Sequence, residues 1–139
     1  MIPRPSAPGL SLLMLFAVAL GGALGSVTRF AIGLYGSRVE DGAVPYATLL
    51  INVGGSFLLG VLLRVLPQVS ASPELAAALT VGFCGGFTTF STFSAELARM
   101  VQLGSYWRAA SYAVASVLLS LAATFAGFAA ARGVLGSGR

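Results

Sequence analysis

The chain has 139 residues, 57% hydrophobic and only 9% charged, with a mean hydropathy of +0.91. A soluble domain of this size needs far more surface charge, so a soluble globular fold is excluded. The net charge of +4 comes entirely from arginines that are scattered rather than clustered, which argues against a nucleic-acid partner.

Uncharged windows run from Leu10 to Thr28, Gly42 to Leu63, Leu75 to Ala95 and Ala109 to Ala131. Each reaches the ~20 residues that a spanning helix needs. The composition therefore predicts an all-α membrane protein, one domain over 1–139, with four transmembrane helices near 10–35, 45–66, 74–101 and 107–132. The loops are short, which leaves no room for a soluble catalytic domain. No enzymatic constellation is present. Histidine is absent, Cys84 is the only cysteine, and no Asp or Glu falls inside a window. That excludes an intrachain disulfide and a His/Cys metal site. Cys84, among apolar neighbours, reads as an inert packed thiol.

In the first span Arg4 precedes an apolar run, and Ala17-Val18-Ala19 resembles a signal-peptide cleavage site. The run continues to Thr28 without a polar exit, so a retained helix is expected. Gly21-x-x-x-Gly25 and Gly22-x-x-x-Ser26 permit close helix approach. Arg29 either snorkels to the headgroups or faces inward to hold carbonyl groups and raise the potential near an anion path. Ser37 to Pro45 reads as a solvated turn.

The second span carries Asn52 near its middle, followed by Gly54, Gly55, Ser56 and Gly60. An amide at that depth must find partners for its donors and its carbonyl. It serves either as an interhelical bond or as a donor lining a path for a small anion. In the next loop, Ser72 is positioned to cap the third helix, with Pro73 at its first position and Glu74 behind.

The third span is the most informative. Gly82 to Ser94 reads GFCGGFTTFSTFS, where three glycines loosen a helix and Thr88, Thr89, Ser91, Thr92 and Ser94 add five hydroxyls within seven residues. In hydrocarbon each freed backbone group costs several kcal/mol unless something satisfies it. A break near the middle of this helix therefore marks an ion site or a packed interface. Phe90 and Phe93 follow, and their electropositive ring edges could flank a narrow anion path instead of simply packing.

Tyr106 and Trp107 suit the interface belt ahead of the fourth span. Within that span Tyr112, Ser116, Ser120 and Thr124 recur every four residues along one shallow stripe. Any one of them could bond its own i−4 carbonyl, but four in register suggest a ladder of donors for a moving anion. With four spans, Arg4, Arg64, Arg132 and Arg139 share one side, and Arg38, Arg99 and Arg108 the other. So slight a bias lets a chain insert either way up, which makes antiparallel dimers possible. A single orientation set by Arg4 and the C-terminal arginines is the alternative.

GGALGSVTRF at Gly21 to Phe30, PYATLLINVGGSFLLG at Pro45 to Gly60 and GFCGGFTTFSTFSAE at Gly82 to Glu96, with the fourth-span hydroxyls, resemble the Fluc (CrcB) family of fluoride channels. The match runs in order through all four spans, while Met1 to Gly9 matches nothing in particular. The resemblance implies a dual-topology antiparallel homodimer in the inner or plasma membrane, with two pores for fluoride. It implies a structural sodium ion on the dimer axis, held by the backbone carbonyls of Gly85 and Thr88. It also implies that Asn52, Phe90 and Phe93 line the pore and that Tyr112, Ser116, Ser120 and Thr124 form a polar track. Arg29 is then a supporting residue. The nearest rival is a small dual-topology multidrug or guanidinium exporter, which needs a carboxylate buried in the membrane. Here Glu96 lies only at the edge of a window. A membrane scaffold, the other rival, leaves the hydroxyl-rich break without a physical reason.

Overall fold

A computed structural model describes residues 11–36, 39 and 43–136. The Met1 to Gly9 segment and most of the turn expected over Ser37 to Pro45 lie outside them. Among the described residues four helical stretches are long and apolar enough to cross a membrane, Leu12–Gly33, Tyr46–Gln68, Pro73–Gln102 and Tyr106–Gly133, which makes this a multi-pass membrane protein. Each lies within a few residues of the span expected from hydropathy.

Helix α1 covers Leu12–Gly33 and starts at Ser11, whose Oγ accepts the Met14 N–H at 3.0 Å. Helix α2 covers Tyr46–Gln68. Ser70 then turns the chain at φ 49°, and Ala71 N–H reaches back to the Leu66 carbonyl at 3.1 Å, closing a Schellman-type end without glycine. The third span opens as expected: Ser72 Oγ accepts the Leu75 N–H at 3.2 Å and Pro73 occupies the first turn.

That span is assembled from pieces. Helix α3 is Pro73–Ala77, a π-helical stretch follows over Ala78–Cys84, and α4 is the single turn Gly85–Phe87. Thr88 and Thr89 are extended (φ −78°, ψ 159° and φ −149°, ψ 116°), and α5 resumes over Phe90–Gln102. The helix is therefore interrupted at the threonines rather than at the glycines. Gly104, at φ 71°, ends α5, and α6 runs over Tyr106–Gly136.

The glycines have a different task. A Cβ on Gly21 would strike the Ala78 carbonyl, one on Gly25 the Phe83 carbonyl, one on Gly82 the Val18 carbonyl and one on Gly86 the Gly22 carbonyl. Backbone lies on backbone where α1 crosses the third span. Glycine is used there because lipid tails are as apolar as leucine, leaving close packing to hold helices together. The α2–α6 pair is built the same way: a Cβ on Gly60 would meet Thr124, and one on Gly127 the Phe57 carbonyl. The buried cluster is small, comprising Val39, Phe93, Met100, Ala109 and Tyr112. Large apolar side chains such as Leu20, Leu24, Val27, Val114, Leu118 and Phe125 stay exposed, as suits a lipid solvent.

Candidate functional site

The break at Thr88–Thr89 releases backbone groups that must be satisfied where water is scarce. Thr89 N–H donates to Asn52 Oδ1 at 2.8 Å, and Asn52 Nδ2 donates to the Thr89 carbonyl at 3.1 Å. One side chain of α2 thus replaces the helical acceptor that the Thr89 N–H has lost, adds a second donor to the Thr89 carbonyl, and keeps one amide N–H in hand. The Gly86 carbonyl is taken by Arg29 Nε at 3.0 Å, with Ser26 Oγ farther off at 3.5 Å. Arg29 therefore faces inward onto a carbonyl and does not snorkel.

Thr89 Oγ1 caps α5 by accepting the Thr92 N–H at 3.1 Å, while Thr88 N–H and Oγ1 both return to the Cys84 carbonyl at 2.9 Å. Several carbonyls at the end of α4, those of Gly85, Phe87 and Thr88, lose their helical donors in this arrangement. In an unbroken helix Gly85 would receive the Thr89 N–H and Thr88 the Thr92 N–H, but those donors go to Asn52 and to the Thr89 cap. The end of α4 consequently presents spare carbonyl oxygens. The start of α5 presents N–H groups and the positive end of a half-helix. A break with these two poles can hold a hard cation on one side and attract an anion on the other.

A cavity of about 370 Å³ adjoins the break. Asn52, Gly85, Thr88, Phe90, Phe93, Ser116 and Ser120 all line it, drawn from α2, the third span and α6. Ser116 Oγ is fully buried and makes no well-formed hydrogen bond among the described residues, only a looser approach to the Tyr112 hydroxyl, so its proton can turn to whatever enters. Phe90 and Phe93 tilt toward each other with centroids 5.7 Å apart at 46°, and Phe93 also meets Tyr112 at 5.3 Å. Phe93 is buried, whereas Phe90 is 79% exposed on the single chain.

Two members of the four-hydroxyl stripe lie outside that wall. Thr124 Oγ1 donates to the Ser120 carbonyl at 3.1 Å, the ordinary i−4 bond of a membrane threonine. Tyr112 donates to Glu96 Oε2 at 2.7 Å, and Thr48 Oγ1 donates to Glu96 Oε1 at 2.7 Å. Glu96 is thus a half-buried carboxylate inside the third span, not an edge residue, and both its oxygens are bound. It faces a second cavity of about 660 Å³ that Arg29, Thr48, Thr92 and Arg99 also line. Hydropathy windows miss this site because Thr48, Glu96 and Tyr112 belong to three separate elements and meet only in the folded chain. The glutamate in the Ser-Ala-Glu that closes the hydroxyl-rich stretch is its one trace in the sequence.

The chain matches the family of CrcB-like proteins (Camphor Resistance, CrcB) over residues 16–128. A protein of Rhodospirillum centenum named fluoride-specific ion channel FluC is 47% identical over 120 residues, covering 86% of this chain and 95% of that one. A protein of the same name from Caulobacter vibrioides is 47% identical over 122 residues, with coverage of 86% and 96%. One from Agrobacterium fabrum is 41% identical over 116 residues, with coverage of 83% and 93%.

Proposed function

The chain belongs to the CrcB-like family, and from that membership and the chemistry of the broken third span we infer that it is a fluoride-selective ion channel. The relatives' names favour this over a multidrug or guanidinium exporter. The observation that carries the reading is the buried Ser116 hydroxyl, which makes no well-formed hydrogen bond among the described residues and lines a cavity edged by Phe90, Phe93 and Asn52. A buried donor without a partner costs about 1–3 kcal/mol, and an anion in transit recovers that cost. Fluoride is small and tightly hydrated, so a path that admits it must replace water with several short donors. Neutral donors also let it leave, as conduction requires.

The path runs past the spare N–H of Asn52, the edges of Phe90 and Phe93, and the hydroxyls of Ser116 and Ser120. Tyr112 and Thr124 flank it on the same stripe of α6. Arg29 supports the break through Gly86 and adds positive potential, without being a ligand. Flux is passive. Hydrogen fluoride enters a cell uncharged and dissociates in a more alkaline cytoplasm, and the potential across an inner or plasma membrane then drives the anion out.

The channel is an antiparallel, dual-topology homodimer. Support comes from the four-to-three arginine split. It comes also from the Phe90 ring, which a single chain leaves largely exposed. The chemistry at Gly85 and Thr88 fits a structural sodium ion. Both of these carbonyl oxygens lack their helical donors in each subunit, and a Cβ on Gly85 would meet nothing within 4 Å, so this face is open to a second copy. Sodium suits such hard oxygen donors and would neutralise carbonyl ends brought together by the dimer. The protein's own part is to keep those oxygens free, by committing Thr89 N–H to Asn52 and Thr92 N–H to the Thr89 side chain.

Fluoride efflux from liposomes containing the purified protein tests the function: fast release that chloride does not match is expected, and no release above empty liposomes would overturn it. Replacing sodium by a large organic cation is expected to weaken assembly and flux. Indifference to that exchange would remove the ion. A C-terminal tag accessible from both faces is expected, and labelling from one face only would end dual topology.

A further inference from the structure

Hydroxyls around the cavity differ in where their proton goes, that of Thr89 going to Thr92 Oγ1 at 3.0 Å. Those of Thr80 and Thr88, like that of Thr124 beyond the wall on α6, give their proton to an i−4 carbonyl, at 2.7, 2.9 and 3.1 Å. A hydroxyl so committed turns lone pairs outward and repels an anion. Ser116 and Ser120 make no such bond among the described residues, and neither does Ser56 of α2, which lines the same cavity.

The register of α2 against α6 fixes where Ser56 stands. Thr48 and Tyr112 share the carboxylate of Glu96, and twelve residues further along each helix the Gly60 backbone lies against Thr124. The two helices therefore run in the same direction with constant offset. Stepping back one turn from Gly60 and Thr124 brings Ser56 and Ser120 to the same depth. One turn further back brings Asn52 level with Ser116. We propose that Ser56 is a further fluoride-contacting residue, donating from α2 opposite Ser120 so that one dehydrated ion is held between two helices at that depth. The proposal rests on the conduction path inferred above.

The physical need is plain. A single stripe on α6 offers donors to one side of the ion only, whereas a fluoride stripped of water needs several. Asn52 supplies the second side at the depth of Ser116. Without Ser56 the next step along would be one-sided, with Leu59 and the committed Thr80 as its other surroundings.

The test is fluoride efflux from liposomes for Ser56→Ala, Ser120→Ala and the double variant, with Thr28→Ala as control because its hydroxyl is exposed and bonded to the Leu24 carbonyl. Ser56→Ala is expected to slow efflux roughly tenfold, the factor for one lost hydrogen bond to a charge. Its gel-filtration profile and melting temperature should match wild type. The two single losses should fail to multiply in the double variant, because both hydroxyls serve one ion. Wild-type flux in Ser56→Ala beside slow flux in Ser120→Ala would overturn the role of Ser56 while leaving the path intact. Slow flux accompanied by a lowered melting temperature would assign Ser56 to packing. Losses that multiply would place the two hydroxyls at separate ions and overturn the shared depth. Wild-type flux in Phe93→Ile, measured alongside, would remove the path itself.

Discussion

Asn52 is bound to Thr89 through both polar groups of one residue's backbone, at 2.8 Å and 3.1 Å. A side-chain amide accepts from an N–H and donates to a C=O at once through two separate atoms, as a peptide group does, so its chemistry is matched to an interrupted helix. The same residue lines the cavity and keeps a second amide N–H uncommitted. The fold of the break and the lining of the path thus depend on one side chain.

Asn52→Asp is expected to abolish fluoride flux and to lower stability, because a carboxylate meets the Thr89 carbonyl with a second acceptor and brings negative charge toward an anion path. Asn52→Leu should also destabilise, by about 1–3 kcal/mol for the orphaned Thr89 N–H. Thermal unfolding in detergent together with liposome efflux checks both. An Asn52→Asp protein that melts and conducts as wild type would contradict the pairing and the path together.

The two phenylalanines should separate in stability though not in flux. Phe93 is buried between Phe90 and Tyr112, while Phe90 is largely exposed on one chain. Phe93→Ile is expected to cost about 1 kcal/mol in lost ring contacts and Phe90→Ile little, while each slows efflux severely. Melting curves and efflux rates measured side by side give the comparison. Wild-type efflux in both variants would mean that the anion travels elsewhere.

The spans, the Ser72 cap and the close approach at Gly21 and Gly25 were legible in the sequence because hydropathy, capping and residue size are local properties. The position of the break was less so. Gly82 and Gly86 look like helix breakers, but glycine in a helix also permits contact, and here the backbone of α1 takes up that space. Arg29 left two readings open in the sequence, and its bond to the Gly86 carbonyl decides between them. Thr124 looked like one of four equal hydroxyls, yet its proton is committed to Ser120, which spacing alone does not reveal. Glu96 stayed hidden for a related reason. Its partners Thr48 and Tyr112 come from other elements, and a window average counts a paired carboxylate as it would an exposed one.

Backbone contact makes a sharp steric prediction. A Cβ at Gly25 would strike the Phe83 carbonyl and the Phe87 N–H, neither of which can move aside, whereas one at Gly133 in α6 meets nothing within 4 Å. Gly25→Ala is expected to lose about 1–3 kcal/mol through overpacking, and Gly133→Ala to gain about 0.5–1 kcal/mol in helix propensity. Melting temperatures in detergent read both signs. Equal stability of the two variants would mean that α1 does not sit against the third span at the separation described.

Glu96 allows the most discriminating stability test, since it binds two hydroxyls with two oxygens. In Glu96→Gln the amide oxygen still accepts from one hydroxyl, and the other reverses to accept from the amide nitrogen. That variant is expected to melt close to wild type. Glu96→Leu offers neither role and takes the acceptor from the buried Thr48 and Tyr112 hydroxyls, leaving them only each other and Ser116, at up to about 1–3 kcal/mol each. Adding Tyr112→Phe to Glu96→Leu removes one orphan and should recover part of the loss, although Tyr112→Phe alone is destabilising. The four proteins form a double-mutant cycle, read by thermal unfolding, in which the sign of the second change reverses with the first. If Tyr112→Phe costs the same with and without the carboxylate, the bond between Tyr112 and Glu96 contributes nothing to the fold.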